Sequence, residues 1–282
     1  MFMRGSNMLL ILLLAFACLT VTACAILNQA KFGKSPEGDR LERIKCSPHY
    51  VDGEFKNQIP TFTLVEDQST FKIILNGWFF PKERLRPEKP LPTVRLDLSE
   101  PNAIDRNQDM LIWLGHSSFF IQLGGKRLLV DPVFSDHGAP FSFLNKIFPG
   151  TDIYNSEDMP EIDYLLISHD HWDHLDYPTI TALEQKVKTV TCPLGVDADF
   201  EYWDYPREKV HEADWNTTLR FENGLIISVV PARHYSGRLF TKNKTLWAGF
   251  VIETPEYRVF LNGDEGTALT LQISHNHSAH ST

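Results

Sequence analysis

An apolar run that leads directly into a cluster of histidines and aspartates constrains this chain more than any other stretch. Residues 162–168 read IDYLLIS, which predicts a buried strand, and the sequence HDHWDHLD follows at once. Because side chains two residues apart on an extended backbone face the same side, His169 and His171 can point at one ion. Asp173 and His174 lie where the chain turns and can address a second ion. Imidazole nitrogens with a carboxylate suit zinc, although iron and manganese also accept them.

Each of these four residues has a simple structural explanation when taken alone, since a single histidine is usually a surface or core residue. Four of them within six positions, between a predicted buried strand and a helix that opens at Pro178, are hard to explain in that way. A motif gains weight when it lies in the strand–loop–helix context that its chemistry needs. The sequence therefore predicts a metal site in this loop.

Composition and charge limit the function classes. The chain has 282 residues, 43% of them hydrophobic, which is enough for one large domain or two small ones with a real core. A formal net charge of -9 argues against a nucleic-acid partner, which would require a basic surface. The four cysteines form no CxxC pair, so a cysteine zinc site is not expected. A disulfide between Cys46 and Cys192 stays open, because it depends on an oxidising compartment.

The N-terminal residues are typical of an export leader. Arg4 precedes an uncharged, largely apolar run over residues 8–27, which is long enough to span a bilayer. Residues 21–24, VTAC, resemble the lipobox of bacterial lipoproteins, so we expect residues 1–24 to form a leader and Cys24 to be lipidated. An uncleaved anchor and a plain secretory signal are the alternatives. All three place the rest of the chain outside the cytoplasm, and the lack of an aspartate after Cys24 favours the periplasmic face of a bacterial outer membrane.

Residues 25–105 are predicted to be a proline-rich extension without chemistry of its own. Proline lacks a backbone donor and restricts the residue before it, so long regular elements are not expected here. Two apolar pieces, at 71–75 and 78–80, are expected to pack the extension onto the main domain.

From residue 106 the pattern changes to short apolar strands. The glycine pair at 124–125 predicts a tight hairpin between two of them. A helix is predicted from Tyr177 to about Val187. The predicted strands cover residues 110–114, 119–123, 126–130, 188–192, 225–231, 246–252 and 257–261. A strand meander followed by strand–helix units predicts an α/β fold, with sheets that have helices packed outside them.

Two further strand ends deliver ligand-type residues, namely His234 after VVPAR and Asp264 after VFLNG. With these, the order of motifs resembles the metallo-β-lactamase-fold hydrolases, and within them the N-acylphosphatidylethanolamine phospholipase D-like subgroup and its bacterial relatives. The resemblance covers roughly residues 109–266. The motifs that carry it are WLGHSSFFIQLGGKRLLVDPVFSD, LLISHDHWDHLDYPTI, PARHYSGR, KTLWAGFVIE and FLNGDEG.

The resemblance implies an αββα sandwich over residues 106–266 and two zinc ions. One zinc would be held by His169, His171 and His234. The other would be held by Asp173 and His174, with Asp264 bridging both ions. Asp173 would also be catalytic, because it would orient the metal-activated water.

Four more residues are candidates for supporting roles. His116 and Asp131 could fix the tautomer of a ligand imidazole, although a turn histidine and a strand-capping aspartate explain them equally well. Arg233 and Arg238 could contact substrate phosphate, but surface salt bridges are the simpler explanation for each.

The leading hypothesis is a zinc-dependent hydrolase that acts on N-acyl phospholipid-like or related phosphodiesters through a metal-activated water. Its partners would be a small-molecule or lipid substrate and the membrane, with no nucleic acid; the sequence does not set the oligomeric state. Ester, lactone or β-lactam hydrolysis on the same fold is one alternative. An inactive, truncated metal-binding remnant is another.

The chain departs from the family pattern after Asp264. The family usually reads GD[TS]GY here and continues through further strands, helices and a last metal-binding histidine, whereas this chain reads GDEG and then TALTLQISHNHSAHST. We therefore expect the second half of the fold to be incomplete, the second metal to lack one ligand, and residues 267–282 to be unstructured. His275, His277 and His280 could chelate a metal, but chance histidines in an unstructured tail are the preferred explanation.

Overall fold

The computed structural model describes residues 3–60, 86–99, 104–221, 224–238, 241–264 and 271–275. The two apolar pieces of the extension, at 71–75 and 78–80, and the histidines at 277 and 280 lie outside these ranges.

The N-terminal region begins with helix α1, Met3–Leu27, followed by a 3-10 turn at Ala30–Phe32. The section Leu10–Leu27 is long and apolar enough to cross a membrane, with a mean hydropathy of 2.8, but a signal sequence has the same properties. Cys24 is exposed on α1, and all four cysteines are unpaired, so Cys46 and Cys192 form no disulfide.

The rest of the described extension contains only short elements, as its prolines predict. These are helix α2, Gly38–Lys45, and a small hairpin of β1, Tyr50–Val51, and β2, Glu54–Phe55.

In the described part of the chain, the first large sheet has six strands, and two α-helices connect three of them. Its strands are β3 Met110–Gly115, β4 Ser118–Leu123, β5 Lys126–Val130, β6 Ile162–Leu166, β7 Val187–Pro193 and β8 Val210–Ala213, in that order across the sheet. The strands β3 to β5 pair antiparallel and β5 to β8 pair parallel. Helix α3, Tyr177–Leu183, connects β6 to β7, and helix α4, Asp197–Tyr202, connects β7 to β8. Gly124 and Gly125 have φ of 54° and 74°, as the predicted tight hairpin requires.

The second sheet is antiparallel and has five strands. They are β9 Thr217–Arg220, β10 Ile226–Val230, β11 Gly249–Glu253, β12 Tyr257–Leu261 and β13 Leu271–His275, in the order β13-β12-β11-β10-β9. The prediction that residues 267–282 are unstructured is wrong for β13, which pairs with β12 from Leu261↔Leu271 to Tyr257↔His275. An edge strand offers unpaired N–H and C=O groups, and the alternating sequence of β13 can pair with them.

Two apolar clusters lie on opposite faces of the first sheet. Phe119 and Leu128 point to the second sheet and pack with residues such as Phe250, whereas Phe120 and Leu129 point to the other face. That outer face is covered by α3 and α4, whose buried side chains include Ile180, Leu183 and Phe200. The prediction of an α/β sandwich with helices packed outside the sheets is therefore confirmed.

The carboxyl ends of the parallel strands lie at one edge of the first sheet, as is general for α/β sheets. Asp131 follows β5 and the loop that starts at His169 follows β6. From the second sheet, His234 follows β10 and Asp264 follows β12. The fold thus brings together residues that are up to 133 positions apart (264 minus 131).

Candidate metal centre

Three histidines converge where the two sheets meet. His169 Nε2 lies 2.8 Å from His171 Nδ1, and His171 Nδ1 lies 3.2 Å from His234 Nε2. One ligand atom from each residue falls within 4.8 Å of the others, a spacing at which one ion can bind all three. These are the three residues that the resemblance implied for the first metal.

Asp264 lies between this group and a second one. His169, His174 and Asp264 also bring their ligand atoms within 4.8 Å of one another. The Asp264 Oδ2 atom is 3.6 Å from His234 Nε2 and 3.8 Å from His174 Nε2. Its side chain is 48% exposed, whereas the His174 side chain is buried, so the carboxylate lies at the open side of the site.

Asp173 belongs to neither of these groups. Its Oδ2 atom lies 3.1 Å from His116 Nε2, and its Cβ packs so closely on Gly138 that a methyl group there would lie only 2.6 Å away. Burial raises the pKa of Asp173, but the hydrogen bond from His116 and the charges of His174 and His116 lower it further, so the net shift is downward. Asp173 is therefore an ionised carboxylate beside the two groups, and its role as a metal ligand stays a prediction.

Asp131 holds His174 in place. Its Oδ1 atom accepts a hydrogen bond from the Ser168 N–H at 2.7 Å, and its Oδ2 atom accepts one from Ser168 Oγ at 2.6 Å and lies 2.9 Å from His174 Nδ1. With Nδ1 bound to a carboxylate, His174 turns Nε2 toward Asp264, which is the supporting geometry suggested for Asp131. Ser168 was not predicted, although its position directly before the first histidine places it beside His169 Nδ1, at 2.9 Å.

The pKa values of the four histidines at the site are not all shifted in the same direction. Burial, and then the charges of the neighbouring imidazoles, hold the pKa of His169 well below its usual range. Burial also lowers the pKa of His171. Burial and the charge of His171 together lower the pKa of His234 to about 4. Burial lowers the pKa of His174 too, but the charge and hydrogen bond of Asp131 raise it to about 9. At neutral pH three imidazoles are neutral and offer lone pairs, which is the form that a metal needs.

Arg238 does not face this site. It is 3% exposed and donates hydrogen bonds to backbone carbonyls, so the prediction that it contacts a substrate phosphate is wrong. Its planar fork of donors pairs with three carbonyl oxygens at once. Arg233 is exposed, and its contact with phosphate stays a prediction.

Comparison with known proteins identifies the family. Residues 126–275, more than half of the chain, match the family model described as a β-lactamase superfamily domain. The chain belongs to this superfamily. The match covers the histidine loop, His234 and Asp264, so every residue of the two ligand groups lies within it.

Three proteins that are similar to this chain are as follows. An uncharacterized protein of Mycobacterium tuberculosis is 34% identical over 82% of this chain and 62% of its own length. N-acyl-phosphatidylethanolamine-hydrolyzing phospholipase D 1 of Caenorhabditis elegans is 31% identical over 55% of this chain and 46% of its own length. A solved metallo hydrolase from the archaeon Ignicoccus hospitalis is 18% identical, with a TM-score of 0.39 over 55% of this chain and 60% of its own. The chain thus spans less than two thirds of each.

Proposed function

We propose that the protein is a metal-dependent hydrolase that activates water between two adjacent groups of ligands. The observation that carries this proposal is the position of Asp264, whose carboxylate lies within 4 Å of histidines from both groups. A bridging carboxylate at the open side of a buried imidazole cluster is typical of hydrolytic sites with two metal ions.

Zinc is the metal that we propose. His169, His171 and His234 would hold one ion. His174 and Asp264 would hold a second, with Asp173 as the further ligand that the resemblance implies. Neutral imidazoles with few carboxylates suit zinc better than magnesium or calcium, which prefer oxygen ligands. When bound, such ions lower the pKa of a coordinated water toward neutrality and polarise a substrate oxygen.

Asp173 and His116 would assist from the side of the site. The Asp173 carboxylate is ionised and partly exposed, and the hydrogen bond from His116 fixes its orientation. It can therefore accept a hydrogen bond from the attacking water and orient it, while its lowered pKa keeps the carboxylate ionised.

For the substrate we propose a phosphodiester of the N-acyl phospholipid type. The name of the similar nematode enzyme supports this class. The apolar helix α1 supports it as well, because an exported chain attached at Cys24 or anchored by α1 would work beside a membrane. The proposed location is the periplasmic face of a bacterial outer membrane.

The test uses the full chain in detergent, with its metal content measured by elemental analysis. Substrates are N-acylphosphatidylethanolamine, bis-p-nitrophenyl phosphate, nitrocefin and a lactone. We expect hydrolysis of the two phosphodiesters, lost in His171→Ala and kept in His211→Ala, which removes an exposed histidine on β8. Preferential hydrolysis of nitrocefin or the lactone would show that the proposed substrate class is wrong. A metal-loaded chain that hydrolyses none of the four substrates would refute the proposal that the protein is a hydrolase.

A further inference from the structure

Arg238 joins the metal loop to the N-terminal segment of the chain. Its Nη1 atom donates to the carbonyl oxygens of Asp170, at 2.9 Å, and Leu175, at 2.8 Å. These two carbonyls bracket the residues from His171 to His174. Its Nη2 atom donates to the carbonyl oxygen of Lys31 at 2.7 Å. One buried guanidinium therefore holds both ends of the ligand loop and the segment that follows α1.

Two tryptophans complete this junction. The Arg238 guanidinium carbon lies 5.0 Å from the ring centroid of Trp172 and 5.6 Å from that of Trp203. The indole N–H of Trp172 donates to the Lys31 carbonyl at 3.3 Å, and that of Trp203 donates to the Ala30 carbonyl at 2.9 Å. Cation–π contacts are strongest when they are desolvated, as they are around this buried arginine.

The segment after His234 is tied to the same loop. Asp170, which lies between the first two histidines, accepts a hydrogen bond from the Gly237 N–H at 2.6 Å and one from Thr245 Oγ1 at 2.8 Å. Its side chain is buried and therefore faces away from the open side of the site. Arg238 follows Gly237 directly, so the same turn holds the loop through its backbone and through its side chain.

We propose that Arg238 is a positioning residue for the metal centre, which fixes residues 170–175 against the docked segment Ala30–Phe32. This inference rests on the proposed metal centre. Arg238 contacts the loop through two backbone carbonyls and the Trp172 ring and does not contact the sheets through these groups, so its loss would change the spacing of the ligand histidines more than the packing of the sheets. Lysine cannot replace it, because a single ammonium group cannot reach three carbonyls in the geometry of a planar fork.

Arg127 on β5 offers a matched control. It is also 3% exposed, and it donates to Gln122 Oε1 at 3.0 Å and to the Ile104 carbonyl at 3.3 Å. Neither of these contacts involves the ligand loop. Arg127→Lys therefore reports what the loss of a buried arginine does to stability alone.

The experiment titrates the metal-free full chain in detergent with Co²⁺ alone, against a competing chelator, and follows the visible d–d absorption and the thermal unfolding. We expect Arg238→Lys to weaken Co²⁺ binding by about tenfold or more and to alter the absorption bands, since supporting contacts typically contribute that much. Arg127→Lys should lower the melting temperature and leave the affinity within about twofold of the wild type.

A second variant covers the case in which Arg238→Lys does not fold. Trp203→Phe keeps an aromatic ring but removes the hydrogen bond to Ala30, at a distance from every ligand, and we expect it to weaken Co²⁺ binding by about threefold. Wild-type affinity in the folded variants would overturn the inference and leave the proposed function standing. A wild-type chain that binds no Co²⁺ would overturn both.

Discussion

Asp199 provides a test of how burial sets the stability of this protein. It lies on α4, is 2% exposed, and accepts a hydrogen bond from the Lys34 N–H at 2.8 Å. Burial raises its pKa from 3.8 to about 7, against the opposing charge of Arg238. Asp199→Asn has the same shape and keeps an oxygen acceptor for Lys34, but it cannot ionise. The substitution therefore isolates the effect of the buried charge.

The magnitude follows from the two pKa values. Well below pH 3.8 the carboxyl group is protonated in both the folded and the unfolded chain, so its contribution to stability is fully present. Between pH 3.8 and about 7 the unfolded chain is ionised while the folded carboxyl stays protonated, and over this range the free energy of unfolding falls by about 4 kcal/mol. Asp199→Asn escapes this loss. Its advantage over the wild type should grow by about 3 kcal/mol between pH 5 and pH 8.

The measurement is urea unfolding of the chelator-treated chain, followed by circular dichroism at pH 5 and pH 8. Asp204→Asn, which removes an exposed carboxylate just beyond α4, is the control and should show no such growth. The reasoning is refuted if Asp199→Asn is no more stable than the wild type at pH 8, or if its advantage is the same at both pH values.

Three further predictions concern the candidate metal centre. Gly138→Ala should displace Asp173, because the added methyl group would lie 2.6 Å from the Asp173 Cβ. We expect kcat to fall by about a hundredfold with an unchanged circular dichroism spectrum, and full activity would contradict this close packing. Asp131→Asn removes the charge and the charged hydrogen-bond partner that raise the pKa of His174 to about 9, so NMR titration of the metal-free chain should find that pKa lower than in the wild type. An unchanged pKa would be inconsistent with this. Because His174 is protonated at pH 7.5 without metal, binding of the second ion should release about one proton. Calorimetry in buffers of different ionisation enthalpy would detect this release, and identical heats of binding in all buffers would argue against it.

The sequence was most informative where local pattern and chemistry agree. The strand over residues 126–130 and the hairpin before it were predicted with their observed bounds, because a short apolar run and a glycine pair depend only on neighbouring residues. The convergence of His169, His171 and His234 was implied by the resemblance, since the spacing alone could not show which later strand end meets the loop. The structure brings them together at about 3 Å.

The features that the sequence did not predict all involve partners that are distant in the chain. Arg238 looked like a surface cation, because nothing local shows that three carbonyls from two remote segments surround it. Asp173 binds His116 across 57 positions, which no motif spacing encodes. Helix α3 was predicted to run to about Val187, but Val187 already begins β7, because pairing with Ile162 draws it into the sheet. Strand β13 likewise depends on the exposed edge of β12 more than on its own composition.

The docked segment Ala30–Phe32 limits how far the histidine loop could lie from a lipid anchor at Cys24. Between Cys24 and Ala30 there are five residues, 25 to 29. Fully extended, the six steps from Cys24 to Ala30 reach about 20 Å. If Cys24 is acylated as proposed, the linker between the lipid anchor and the docked segment is shorter than the thickness of one bilayer. Such an enzyme would process lipids of the membrane that carries it and would not reach those of a facing membrane, so where it is sorted would decide what it consumes.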